Sequence, residues 1–211
     1  GFLKPVSGSI FIDERDIQTI PRKELAKIIG YVPQIHGNPF PYSVRDIVLM
    51  GRASHLRLFA EPGRSDYRRC DEILEKLDIL YLKDKLYSEI SGGEQQMTLI
   101  ARALVQEPEF IMMDEPTSNL DYGNQIQVLK RVVELKNSGK GVVMISHSPD
   151  QAFLCADEAV LFFRDGSVVS GEVRDVLTEE NISRLYGVEI EIDTGKNRDG
   201  AASAWCRPVS V

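Results

Sequence analysis

The sequence predicts an α/β fold: a parallel sheet core with additional antiparallel strands and an inserted helical lobe. Two short apolar runs, FIMM at residues 110–113 and GVVMIS at 141–146, flank a span of helical periodicity. Strand, helix and strand with short connections form the right-handed crossover unit of a parallel sheet. Just upstream, Met97, Ile100, Ala101 and Leu104 recur at i, i+3, i+4 and i+7, the apolar stripe of an amphipathic helix. Downstream, residues 158–172 (EAVLFFRDGSVVSGE) have the pattern of an antiparallel hairpin turned at Asp165-Gly166.

Taken in order, residues 9–12 (SIFI) and 28–32 (IIGYV) are expected strands, rich in β-branched and aromatic residues and bounded by turn formers. Residues 35–43 (IHGNPFPYS) hold two prolines and a glycine and predict an irregular loop. Ser43 to about Leu86 reads as largely helical, with Ile73, Leu74 and Leu77 at helical spacing and an interruption at 61–64 (EPGR). A helix over 93–106 is stopped by Pro108. The wholly apolar FIMM suits a central parallel strand covered on both faces. Residues 123–137 return to helix, with Ile126, Leu129 and Val133 on one face and Gly139 and Gly141 at its end. After the hairpin a helical tail runs to Tyr186, and residues 193–203 (DTGKNRDGAAS) are expected to be flexible. No internal repeat is present in the 211 residues.

A chain of 211 residues can bury a sizeable core as one domain, or as one domain with an inserted lobe. Its net charge of −7 argues against a nucleic-acid backbone as the main partner, which would call for a basic face. Cys70, Cys155 and Cys206 are far apart without metal-ligand spacing, so incidental reduced thiols are expected rather than a disulfide framework. No apolar run approaches the roughly 20 residues that span a bilayer, and no signal-peptide pattern opens the chain. The first residue is Gly1 rather than methionine, so a cut or processed amino terminus is expected.

Ligands of an open α/β sheet bind beyond the carboxyl ends of its parallel strands. Asp114, Glu115, Ser146 and His147 fall there, directly after FIMM and VVMI. Asp114 suits Mg²⁺, an oxygen-seeking ion usually held by one or two carboxylates with waters and substrate phosphates. Glu115 is then placed to orient and deprotonate an attacking water. The alternative is that Asp114-Glu115 only starts a turn ahead of Pro116. His147 is either structural or a hydrogen-bond partner of a terminal phosphate. Ser91-Gly92-Gly93-Glu94 has the form of a capping box. That does not account for two consecutive glycines, which are used where a backbone must approach something closely. A glycine-opened helix start is also an anion site, and both readings can hold together. Gln34 follows a strand and precedes the proline-rich loop, so its side-chain carbonyl is placed to touch a metal.

Together these residues resemble the nucleotide-binding subunit of an ATP-binding cassette transporter. ISGGEQQ resembles the family signature, FIMMDEP its Walker B strand and glutamate, SNLD its D-loop, Ser146-His147 its switch histidine and YVPQ its Q-loop. Five motifs in the expected order, from Gln34 to His147, make a specific match that covers the chain to about residue 190. The resemblance implies a P-loop NTPase-like (RecA-like) core over 1–34 and 106–190, a helical subdomain with the signature over 35–105, and a flexible tail over 191–211. It implies ATP and Mg²⁺ as cofactors, with Asp114 on the metal, Glu115 as general base, His147 on the γ-phosphate and Gln34 sensing metal and water. Ser91, Gly92 and Gly93 would bind the γ-phosphate of ATP held by the opposite subunit of a head-to-tail homodimer, and Asp121 would communicate across that interface. The implied partners are integral-membrane permease subunits and, indirectly, a substrate-binding protein, with the ATPase peripheral on the cytoplasmic face of the membrane.

Within the family, VLMGRASHLRLF at residues 48–59 resembles the importers of iron-siderophore, haem, cobalamin and related metal chelates, including molybdate. The departures are also informative. No G-x-x-x-x-G-K-[ST] phosphate loop occurs in the 211 residues, and the opening GFLKPVSGSI resembles the region just after that loop's helix. Some tens of residues are therefore expected to precede it, and the 211 residues alone are expected to bind ATP poorly and hydrolyse it negligibly. A non-transport member of DNA-repair type would need a coiled coil between Gln34 and Ser91, which are too close for one. A non-catalytic ABC-like binding module is the remaining alternative.

Overall fold

The computed structural model describes residues 3–34, 41–57, 60–196, 200 and 202–210. The chain forms two compact units, Gly1–Ile145 and Ser146–Val211.

The first unit opens with a small antiparallel pair, β1 (Phe11–Ile12) and β2 (Arg15–Asp16), turned by Asp13 and Glu14 at φ 47° and 62°. The strand expected over 9–12 is thus only two residues long. Helix α1 (Arg22–Ile28) was not legible in the sequence, and it leads directly into β3 (Ile29–Val32). Residues 35–40 of the expected loop lie outside the described residues. The lobe that follows is helical, as expected: α2 (Val44–Leu49), a 3₁₀ turn (Met50–Ser54) and α3 (Arg64–Lys76). Ser43 caps α2 in a reciprocal capping box with Asp46.

Helix α4 (Gly92–Leu104) buries the predicted stripe of Met97, Ile100, Ala101 and Leu104. It is followed by β4 (Phe110–Asp114), α5 (Tyr122–Asn137) and β5 (Gly141–Ile145). The three strands form a parallel sheet in the order β3-β4-β5, with Tyr31, Met112 and Val143 in register. Gly30 sits against α4: a Cβ there would lie 3.2 Å from the Ala103 carbonyl oxygen.

Two expectations need correction here. β4 is the central strand, but it is covered on one face only: Ile111 and Met113 are buried, whereas Phe110 and Met112, with Tyr31 and Val143 beside Met112, are exposed. Alternate side chains point to opposite faces, and the described residues supply apolar cover to one of them. On α5 the buried stripe is Val128, Leu129, Val132 and Leu135, with Ile126 and Val133 only partly buried. Apolar residues occupy two adjoining faces of this helix, so spacing alone did not select the inner one.

The second unit contains α6 (Pro149–Cys155) and the expected hairpin, β6 (Glu158–Phe162) with β7 (Val168–Glu172). Gly166 takes φ 84° in its turn, and Asp165 accepts from the Ser167 amide at 2.9 Å. The helical tail is present as α7 (Val173–Val176) and α8 (Glu179–Tyr186), the latter ended by Gly187 in the left-handed region at φ 72°. The tail from 191 is not flexible through its length. β8 (Ile190–Lys196) and β9 (Ala202–Pro208) pair antiparallel, and Ile190, Ile192 and Cys206 pack against a core of Leu161, Phe163, Val176 and Ile182. Asp150 accepts from the Cys206 amide at 2.7 Å, and Arg207 bridges Glu191 and Asp193. Of the residues that suggested disorder, Asp193, Gly195 and Lys196 lie within β8, and the apolar anchors Ile192 and Cys206 lie on either side of them. Residues 197–199, 201 and 211 of the expected flexible tail lie outside the described residues. Among the described residues no helix is long and apolar enough to cross a membrane.

Candidate functional site

The parallel register brings three of the expected residues together. β3 ends at Val32, so Gln34 stands two residues beyond it, beside the end of β4. Asp114 is the last residue of β4 and Glu115 the first beyond it. Gln34 Nε2 donates to Glu115 Oε2 at 3.0 Å and contacts Ser118 Oγ at 3.3 Å. A carboxylate only accepts, so the amide nitrogen of Gln34 must face Glu115. Tyr31 Oη donates to Asp114 Oδ2 at 3.2 Å. Burial first, and then the Asp114 carboxylate, raises the Tyr31 hydroxyl above its ordinary pKa and keeps it a donor.

Glu115 adopts φ 44°, a conformation that costs a non-glycine residue of order 1–3 kcal/mol. Its backbone is held on both sides: Glu115 N–H donates to the Ile145 carbonyl at 3.1 Å, and the Glu115 carbonyl accepts from Ser118 N at 3.0 Å and Ser118 Oγ at 2.8 Å. This turn aims the carboxylate at Gln34 rather than along the strand. The bland alternative, a simple turn before Pro116, accounts for the bend but not for a strained glutamate facing an amide 81 residues away.

No group of three or more His, Cys, Asp or Glu side chains converges among the described residues. A cation at this strand end would therefore take Asp114, amide or water oxygens, and oxygens of its ligand. That sparse, hard donor set fits Mg²⁺ and not a closed metal cage.

A second group gathers at the amino ends of α4 and α5. The predicted capping box is present: Glu94 Oε2 accepts from Ser91 N at 2.8 Å and from Ser91 Oγ at 2.7 Å, and Ser91 Oγ accepts from the Glu94 amide. These Ser91 hydrogen bonds, side chain first, hold the Glu94 carboxyl below the usual carboxylate range. Tyr81 Oη donates to its other oxygen at 2.9 Å. The two glycines have different reasons. A Cβ on Gly93 would lie 2.4 Å from Asn124 Oδ1, whereas on Gly92 it would meet only Leu120 Cδ2 at 3.6 Å. Gly93 is buried and required by packing, while Ser91 and Gly92 are exposed. Asp121 is the N-cap of α5, accepting from Asn124 N at 2.9 Å and Asn124 Nδ2 at 2.7 Å. It thereby fixes the side chain that fills the space over Gly93.

His147 belongs to the second unit, just before α6. It is exposed, and its carbonyl accepts from Tyr186 Oη at 2.6 Å. Ser146 Oγ donates to Gln151 Oε1 at 2.8 Å and accepts from the Ser148 amide, which orders the start of α6. Sequence reasoning missed Tyr31, Ser118 and Asn124. For Tyr31 a signal existed, since it is an aromatic three residues before Gln34 on the strand beside Asp114. Ser118 opens the SNLD motif, though nothing in it pointed to Gln34, and for Asn124 no signal existed.

The chain is similar to known proteins over most of its length. Residues 1–118 match the family model described as ABC transporter. An ABC transporter ATP-binding protein of Haemophilus influenzae is 36% identical over 192 residues, covering 91% of this chain and 73% of the relative. The molybdate import ATP-binding protein MolC of the same organism is 37% identical over 88% of this chain and 68% of its own length. The hemin import ATP-binding protein HmuV of Rhizobium meliloti is 32% identical over 94% of this chain and 78% of its own. Among solved structures, a metal-chelate type ABC transporter in an inward-facing conformation matches with TM-score 0.82 and 35% identity, covering 87% of this chain and 72% of that one.

Proposed function

Since the chain belongs to the ABC transporter ATP-binding family, we propose that it is the ATP-binding and ATP-hydrolysing part of an importer of metal chelates or related oxyanions such as molybdate. The observation that carries this reading is the Gln34–Glu115 hydrogen bond beside Asp114 at the carboxyl end of the parallel sheet. The names of the similar proteins, which concern molybdate, iron chelatin and hemin, support the cargo class.

In this reading residues 1–34 and 106–190 are the ATPase core, and 35–105 the helical subdomain with the signature. Asp114 and the Gln34 side-chain carbonyl would hold Mg²⁺. The bound ion would neutralise charge on the ATP phosphates. Glu115 takes a proton from the attacking water, and Gln34, already in contact with it, reports whether the metal side is occupied. His147 donates to the terminal phosphate. Ser91 and Gly92 present an exposed helix start to the nucleotide of a second copy, and Asp121 holds the adjoining α5 start. Two subunits would close head to tail around ATP and reopen after hydrolysis, driving integral-membrane permease subunits that receive cargo from a substrate-binding protein. The protein would then lie at the cytoplasmic face of the membrane.

The 211 residues contain no lysine-bearing phosphate loop, so taken alone they should hold ATP weakly and hydrolyse it negligibly. The test uses these residues joined to such a loop. Glu115→Gln should accumulate an ATP-bound dimer by size exclusion with light scattering, and undiminished turnover would remove Glu115 as the base.

A further inference from the structure

The stretch Gly51-Arg52-Ala53-Ser54-His55, which the sequence links only to cargo class, is fastened to the carboxyl end of α4, the helix that begins at Ser91–Gly93. Gly51 is buried so tightly that a Cβ would lie 2.2 Å from the Arg102 carbonyl oxygen. The Arg52 side chain is 14% exposed; its Nη1 donates to the Val105 carbonyl at 3.0 Å, and its Nε pairs with Asp66 Oδ1 at 3.0 Å. Asp66 is itself fixed by the Gly63 amide at the start of α3, at 2.9 Å. His55 Nε2 lies 2.9 Å from the Gln106 carbonyl oxygen, and since a carbonyl only accepts, Nε2 carries the proton. Lys23 of α1 reaches the Leu56 carbonyl at 2.5 Å. Cationic and N–H donors are thus placed at the carboxyl end of α4, where its orphan carbonyls and dipole favour them.

We propose that Arg52 and His55 are positioning residues for the phosphate-binding start of α4, acting through the helix on a nucleotide held by the second subunit. The proposal rests on the reading of Ser91 and Gly92 given above. The lever is large: thirteen residues of helix span about 20 Å, so a tilt of about 10° at the clamped end displaces the other end by about 3 Å. Errors of about 1 Å in a reacting geometry already cost on the order of a hundredfold in rate. The clamp follows α2 directly, so α2 and the signature helix should move as one body.

The experiment mixes subunits that carry the phosphate loop. Arg52→Ala would leave Asp66 without its partner and risks unfolding, so His55→Ala is the principal variant. His55→Gln restores an N–H donor near the Nε2 position. His55→Ala dimers should turn over about tenfold slower or worse, with ATP affinity of the separated subunit unchanged, and His55→Gln should recover most of the rate. When His55→Ala subunits are mixed with Glu115→Gln subunits, turnover should return, because the site that keeps Glu115 is completed by an undamaged signature. Absence of rescue, where Ser91→Ala subunits are rescued by the same partner, would overturn the proposal. If Ser91→Ala is not rescued either, the cross-subunit reading of the signature falls and takes this proposal with it. Amide hydrogen exchange without nucleotide reads the clamp directly: His55→Ala should speed exchange at residues 103–107, and unchanged protection there would also overturn it.

Discussion

Gln34 and Glu115, 81 residues apart in sequence, meet in a 3.0 Å hydrogen bond in which the amide donates to a carboxylate whose own backbone is held at φ 44°. The glutamine therefore shares one oxygen of the proposed base, and any change in its side chain alters the charge environment of that base first.

Gln34→Glu should make this visible. Two carboxyls would then face each other at hydrogen-bond distance, and like charges disfavour ionising both. The expected result is a coupled pair in which one carboxyl titrates well above the usual carboxylate range. Carboxyl ¹³C chemical shifts followed from pH 3 to 8 would measure it. Two ordinary titrations would mean that the side chains do not meet in solution.

Gly93→Ala should destabilise the protein through Asn124 rather than through any ligand. The added methyl would sit 2.4 Å from an amide that Asp121 holds in place. Overpacking of this kind costs about 1–3 kcal/mol. Urea unfolding should show that loss, and pairing the change with Asn124→Ala should recover much of it. Additive losses in the double variant would contradict the packing account.

The Ser91–Glu94 box gives a pH dependence of known sign. The folded-state carboxyl of Glu94 lies below its unfolded value, chiefly through the Ser91 hydrogen bonds. Its contribution is therefore fully present above the ordinary glutamate pKa of about 4.3 and is lost as pH falls through the lower folded value. Ser91→Ala should cost about 1 kcal/mol at neutral pH. The stability difference between the unchanged chain and Glu94→Gln should shrink steadily on acidification below about pH 4. A difference that stays constant to pH 3 would show that the box does not form.

Cys206 reports on the carboxyl-terminal hairpin. Burial, with the Asp150 carboxylate adding to it, pushes its thiol up to about 12. At pH 8 it should react with iodoacetamide more than about a hundredfold slower than a free thiol of pKa about 8.5. Peptide mapping of the alkylated cysteines distinguishes the two, because a flexible tail would leave Cys206 reacting at the free-thiol rate.

Much of the fold was legible because helices and turns are written locally. The stripe on α4, the Ser91 capping box, the Asp165-Gly166 turn and the end of α8 all follow from residues within seven positions of one another. The hairpin over 190–208 was not, since its anchors Ile192 and Cys206 are separated by the turn-forming residues that mimic disorder. The inner face of α5 was ambiguous for a related reason, as only its neighbours select among its apolar residues.

The sequence by itself determined the order of the elements, α1 and the 190–208 hairpin excepted, and the chemistry available at the strand ends and helix start: Gln34, Asp114, Glu115, Ser91 and His147. Only the tertiary structure decided which of these meet. Parallel pairing of β3 with β4 fixes a register that no local spacing encodes, and that register sets Gln34 against Glu115 and Tyr31 against Asp114. It also divided the two glycines, making Gly93 a packing requirement and leaving Gly92 exposed. Close approach between distant segments is a property of three-dimensional packing, in which a single methyl group can decide whether two helices fit.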